Sequence, residues 1–332
     1  MSGDGATRPV NGEDTTGSPS GEEWTGSPSG EEWTGSLSGE EWTGSLSGEE
    51  STGSLSGDEA TGSLSGDDTT RPHVGCAIDT DGRITFDLPP GPPEGQLLLR
   101  LRPKKGQPEK TVHVLGIASE GDRRYAVLDA DPVLAEGRWD VYLLEEPGSG
   151  RRRPRAGLRD VRALVGGHLR RRSSPLAVRI PYVTKDGHLA VRAWLRTAHA
   201  EAEGIDVTGR SMTVGARLHG ASLGDGAAVH LRLRGGDTVR TVEPSAEDGG
   251  RAFSFTVDYA ELAAATPPGT GVWDVFLHPA AKAPRIRVGR LLDDLADRKN
   301  IVVYPTAGLE GAVLRPYYTV DNDLSVEVKR RP

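Results

Sequence analysis

The chain has 332 residues, 35% of them hydrophobic and 5% aromatic, with 44 glycines, 23 prolines and a formal net charge of −8. Every apolar stretch is short of the roughly 18 residues a membrane-spanning helix needs, and the acidic N-terminus lacks the apolar core of a signal peptide. A lone cysteine, Cys76, excludes an internal disulfide and a cysteine metal cluster, so a cytoplasmic protein that meets a membrane only through a partner is expected.

Charge is unevenly shared. Residues 1–72 hold 15 acidic and 2 basic side chains, a net of −13; of the chain's 48 acidic and 40 basic groups this leaves 33 and 38 for residues 73–332, a net of +5. The acidic arm is a nine-residue repeat, clearest as Thr-Gly-Ser-Pro-Ser-Gly-Glu-Glu-Trp, with copies starting at residues 16, 25, 34, 43, 52 and 61. Only Trp24, Trp33 and Trp42 keep the aromatic residue, so the arm lacks the apolar surface to offset the entropy of ordering it, and a disordered low-complexity tail is expected over 1–72. Such an arm can fold back on a basic body through attraction that salt weakens.

From residue 73 onward the dominant period is two. Gln96–Arg102, Thr111–Val114, Ala177–Ile180 and His188–Trp194 read as half-buried strands, followed by Met212–Leu218, Val229–Leu233, Phe253–Val257, Arg285–Val288 and Leu324–Val328. Gly, Pro and Asp clusters at 89–95, 148–150, 224–226 and 235–237 supply turns. Helix signals are few: single turns at Asp131–Ala135 and Tyr259–Ala263, and an amphipathic stretch over Arg290–Lys299 with Leu291, Leu292 and Leu295 on one face.

The second half repeats the first. Gly137-Arg138-Trp139-Asp140-Val141-Tyr142-Leu143 returns as Gly271-Val272-Trp273-Asp274-Val275-Phe276-Leu277, Leu99–Arg102 as Leu231–Arg234, and the segment from Pro181-Tyr182 to Val191 as that from Pro316-Tyr317 to Val326. A unit this long is a domain rather than a solenoid repeat. The expected fold is therefore all-β: two tandem immunoglobulin-like β-sandwiches, 73–200 and 201–332, behind the disordered tail. Trp139, Trp273, Tyr182 and Tyr317 are expected in the cores, with Asp140 and Asp274 pointing the other way. Trp194, closing its strand, is the candidate for an exposed indole that could stack on a sugar ring.

No catalytic constellation is legible. Gly220-Ala221-Ser222-Leu223-Gly224 fits Gly-x-Ser-x-Gly but lies between two strand candidates, without the strand-to-helix elbow a nucleophilic serine needs. The eight histidines form no His-x-His or His-x-x-x-His pair, and Asp129-Ala130-Asp131 and Asp321-Asn322-Asp323 read as turns, so no metal site and no cofactor are expected. The arginines are more suggestive: Arg151, Arg152, Arg153, Arg155, Arg159 and Arg162, then Arg170, Arg171 and Arg172. Guanidinium forks suit phosphate and carboxylate. The expected ligand is a polyanion: an anionic polyol-phosphate glycopolymer, an anionic lipid surface or the chain's own tail. Nucleic acid fits less well, because no aromatic residues are interleaved.

The Gly-x-Trp-Asp-Val phrases, Arg285-Ile286-Arg287-Val288-Gly289, and Arg315-Pro316-Tyr317-Tyr318-Thr319 with Leu324-Ser325-Val326 resemble the β-sandwich regions C-terminal to actinobacterial family 2 glycosyltransferases, including enzymes of cell-wall glycopolymer synthesis. The resemblance covers about residues 75–330. It implies a non-catalytic accessory role, scaffolding or glycan binding, with a glycosyltransferase or a second copy of the chain as partner. The nucleotide-sugar domain of such enzymes has no counterpart before the sandwiches, where the repeat stands instead. The alternative is a glycosyltransferase-related enzyme with residual transferase activity.

Overall fold

Alternation of apolar and polar residues turns most of the second part of the chain into strands. This is visible in the computed structural model, which describes residues 71–92, 94–103, 111–165, 169 and 174–331. These fall within one unit, Ser63–Pro332. The nonapeptide repeat, and Arg170, Arg171 and Arg172, lie outside the described residues.

Nine strands come first: β1 (His73–Ile78), β2 (Ile84–Leu88), β3 (Gln96–Leu101), β4 (Val112–Glu120), β5 (Arg123–Leu128), β6 (Gly137–Leu144), β7 (Arg155–Asp160), β8 (Leu176–Val183) and β9 (Leu189–Arg196). They run in the order β7-β1-β2-β5-β4-β3-β6-β9-β8. β4 serves two layers, pairing its first half with β3 and its last residues with β5. The layers therefore face each other. Val74, Cys76, Ile84 and Phe86 from one pack with Leu97, Leu99, Trp139 and Val191 from the other, as the inward rows of a sandwich must. A four-residue helix, α1 (Arg162–Val165), follows β7.

The remaining strands form a second sandwich: β10 (His199–Val207), β11 (Ser211–His219), β12 (Ala228–Leu233), β13 (Val239–Val242), β14 (Ser245–Glu247), β15 (Ala252–Asp258), β16 (Gly269–His278), β17 (Ile286–Gly289), β18 (Ala307–Leu309), β19 (Ala312–Tyr318) and β20 (Leu324–Arg330). β16 pairs with β12 on one side and with β20 and then β17 on the other. The same registers occur in both sets. Arg100 pairs with Asp140 and Arg232 with Asp274; Trp139 pairs with Val191 and Trp273 with Val326. In each set the first strand also pairs in parallel with the strand that follows the tryptophan strand. The fold is all-β, two immunoglobulin-like sandwiches in series.

The helix expectations fare unevenly. Tyr259–Ala265 is helix α2, capped by Asp258, whose carboxylate accepts the Ala260 amide. Asp131–Ala135 is not helical. Pro132 has no amide to donate, and the Arg179 guanidinium takes the carbonyls of Asp129, Ala130 and Pro132 at 2.5, 2.7 and 2.6 Å. Arg290–Lys299 is irregular too, because its polar backbone groups are claimed from outside. Both Glu201 oxygens accept the Leu291 and Leu292 amides at 2.7 and 3.1 Å, and Asn322 accepts the Arg298 amide and donates to the Leu295 carbonyl. Leu291, Leu292 and Ala296 are buried with the first sandwich's core, while Leu295 is only half-buried. Asn322 sits at φ 62° where the first half has Gly187 at φ 78°, a left-handed turn that Asn tolerates.

Candidate functional site

With Trp139 and Val141 turned into the core, Asp140 and Tyr142 must lie on the outer face of β6. There Asp140 meets two guanidiniums. Arg102 approaches side-on, Nη2 to Oδ1 at 2.7 Å and Nε to Oδ2 at 3.4 Å, and Arg153 reaches Oδ1 at 3.0 Å. The second sandwich repeats this around Asp274: Arg234 Nη2 to Oδ1 at 2.7 Å and Nε to Oδ2 at 3.3 Å, Arg287 at 3.3 Å, and the Ser325 hydroxyl donating at 2.8 Å. Burial by itself would raise the Asp274 carboxyl, but Arg234, Arg287 and Ser325 outweigh it and hold its pKa below the usual value. The hydrogen bond to Asp140 leads the causes that raise Arg102, and the one to Asp274 those that raise Arg234.

The arginine run is broken up by this arrangement. Arg153 faces Asp140, Arg152 pairs with Glu145 at 2.6 Å and Arg162 with Asp160 at 2.6 Å, and Arg155 donates to the Asp186 carbonyl. Arg151 and Arg159 are exposed. Carboxylates and carbonyls between 2 and 31 positions away decide which guanidiniums are engaged. Around Asp140, however, two guanidiniums share one carboxylate, and Arg100 stands 5.7 Å from the Tyr142 ring beside it. At Asp140 itself guanidinium outnumbers carboxylate two to one, with the Arg102 side chain 42% exposed.

The aromatic expectations are partly corrected. Trp139 and Trp273 are fully buried, as expected. Their indole N–H groups donate to the Ala135 carbonyl at 3.0 Å and the Thr266 hydroxyl at 2.9 Å. Trp194 is not an exposed platform: it is 1% exposed. The second sandwich covers it, the Asp321 carbonyl accepting its N–H at 3.3 Å and the Asp321 carboxylate pairing at 2.6 Å with Arg192, whose guanidinium lies 5.0 Å from the indole. Tyr182 is half-buried and packed against the first core. Tyr317 is also half-buried, and Tyr318 is the tyrosine that enters the core of the second. Alternation along β19 fixes which of the two neighbours points inward.

Ser222 lies in the connection between β11 and β12, with no helix after it. Among the described residues, no group of three His, Cys, Asp or Glu side chains is placed to hold a metal. Sequence reasoning missed a buried polar cluster at the junction: His199 donates or accepts at 2.8 Å with Glu201, and both are essentially inaccessible. The signal was present as a His-x-Glu pair on one face of β10, but nothing nearby in sequence says that the loop after β17 covers it.

Comparison with protein-family models and with curated proteins finds no match. Among solved structures, the chain is similar to a crystal structure of S. aureus TarS, at 16% identity and a TM-score of 0.33 over 43% of this chain and 26% of that one. It is also similar to TarS residues 217–571, at 14% identity and a TM-score of 0.33 over 58% and 45%. The chain thus spans less than half the length of either, and at these scores nothing about its function follows.

Proposed function

We propose that this chain is an anionic-glycan binding protein, an accessory to cell-envelope glycopolymer synthesis of the kind the actinobacterial resemblance implies, built from two copies of one module at 73–200 and 201–332. The observation that supports it is the excess of guanidinium over carboxylate on the outer face of β6, where Arg102 and Arg153 share Asp140 and Arg151 is exposed nearby in the chain. A partly exposed guanidinium beside an already shared carboxylate keeps donors to spare for phosphate or carboxylate groups of a polymer. The binding is expected to be strongly salt-dependent.

The test is titration of the chain with a polyol-phosphate glycopolymer. Arg102→Gln combined with Arg151→Gln and Arg152→Gln, which leaves Asp140 held by Arg153, is expected to weaken binding and flatten its salt dependence. Affinity unchanged by these substitutions would overturn the reading, and steady release of nucleotide from nucleotide sugar plus polymer would assign an enzyme instead.

A further inference from the structure

The two sandwiches differ at one equivalent place on their outer faces. In the first, Leu98, Tyr142 and Leu144 close into a small buried apolar cluster. Register places His230 opposite Phe276 as it places Leu98 opposite Tyr142, so the second sandwich carries His230, Phe276 and His278 there. Two leucines are replaced by two imidazoles. Their ring centroids are 4.3 Å apart, and the guanidiniums of Arg285 and Arg287 stand 4.9 and 4.7 Å from the Phe276 ring. His230, Phe276, His278 and Arg285, with Arg232, Asp237 and Val239, border an open groove of about 290 Å³.

Charge in the groove is one-sided. Arg287 is engaged by Asp274 and Asp323 at 3.3 and 3.2 Å. Arg232 donates through Nε to the Gly236 carbonyl at 3.3 Å, and its one carboxylate partner among the described residues is the fully exposed Asp237 at 3.5 Å, a contact of little strength. Arg285 has no carboxylate partner among the described residues. Burial first, and then His230 and Arg285, lower the His278 pKa, with the backbone opposing them. Without an anion the imidazole is therefore neutral near pH 7, and a bound anion would offset the neighbouring positive charge and favour its protonation.

We propose that this groove is a proton-linked binding site for a phosphodiester anion, with Arg285 and Arg232 contacting its oxygens and His278, its ring beside that of His230, taking up a proton on binding. The site lies on the other sandwich from Arg151 and Arg152 and does not depend on the polymer surface proposed there. By linkage, affinity rises as pH falls through the neutral range. A diester is the informative ligand because its own charge stays fixed over that range.

Dimethyl phosphate is the probe, followed through the imidazole C–H signals of the full chain by NMR at a series of pH values, with chloride at matched ionic strength as the control. Saturable shifts of the His230 and His278 signals, stronger at mildly acidic than at mildly alkaline pH, are expected. Arg285→Gln should weaken binding about tenfold, the loss of a charge-assisted hydrogen bond. His230→Leu with His278→Leu installs the residue type that the first sandwich packs at these positions and should keep the fold while abolishing the pH dependence. Unmoved histidine signals, equal shifts with chloride, or pH-dependent binding that survives in the double-leucine variant would overturn the proposal. Loss of polymer binding on substituting Arg102, Arg151 and Arg152, with the dimethyl phosphate titration unchanged, separates the two sites.

Discussion

Arg234 grips Asp274 at two points, 2.7 Å from Nη2 to Oδ1 and 3.3 Å from Nε to Oδ2, and Arg102 holds Asp140 in nearly the same geometry. The two partners are unequally buried. The Asp274 side chain is 13% exposed and that of Arg234 45%; removing the acid also takes an acceptor from Arg287, 17% exposed, and from the buried Ser325 hydroxyl, whereas removing the arginine leaves a carboxylate still held by Arg287 and Ser325. Asp274→Ala is expected to cost about 1–3 kcal/mol and Arg234→Ala less, read from urea unfolding. Equal losses would contradict this ordering.

The same carboxylate gives stability a pH dependence. Its folded pKa lies below the usual value, so its contribution is fully present above the unfolded value of about 4 and is lost as pH falls through the folded one. The stability gap between the native chain and Asp274→Asn should therefore narrow on acidification below about pH 4. A gap that stays constant or widens there would show that Asp274 titrates normally.

Trp194 is a packing residue of the junction. Trp194→Ala is expected to destabilise by about 3–5 kcal/mol, as large-to-small changes in cores do, while Trp194→Phe, folded, should bind glycopolymer as the native chain does. A selective loss of glycan affinity in the phenylalanine variant would restore a sugar-contacting role.

Glu201 fastens the loop after β17 through the Leu291 and Leu292 amides. Glu201→Ala leaves two buried amides without acceptors, at roughly 1–3 kcal/mol each. The loop, which carries Arg290, Arg298 and Lys299, should become a site of tryptic cleavage under native conditions. Unchanged digestion would mean that Asn322 and the leucine packing hold the loop unaided.

Most of the strands were legible because a half-buried strand writes its two faces into the sequence at period two; β12, β15 and β20 follow that rule closely. The Trp139 and Trp273 anchors could be read for the same reason. The arginine run could not be read as a site, since Arg152, Arg153 and Arg162 are engaged by Glu145, Asp140 and Asp160 according to how strands and turns bring them together. The Arg290–Lys299 segment has helical spacing, yet Glu201 and Asn322 satisfy its backbone groups instead of a helix doing so.

Period and repetition along the chain determined the all-β class and the matched Trp-Asp phrases, because inward and outward rows are local properties of each strand. Tertiary structure alone decided that Trp194 is covered, that Asp140 and Asp274 each gather two guanidiniums, and that the rings of His230 and His278 meet. Each depends on which strand lies beside which, and a contact between residues tens of positions apart leaves no periodic trace in the sequence.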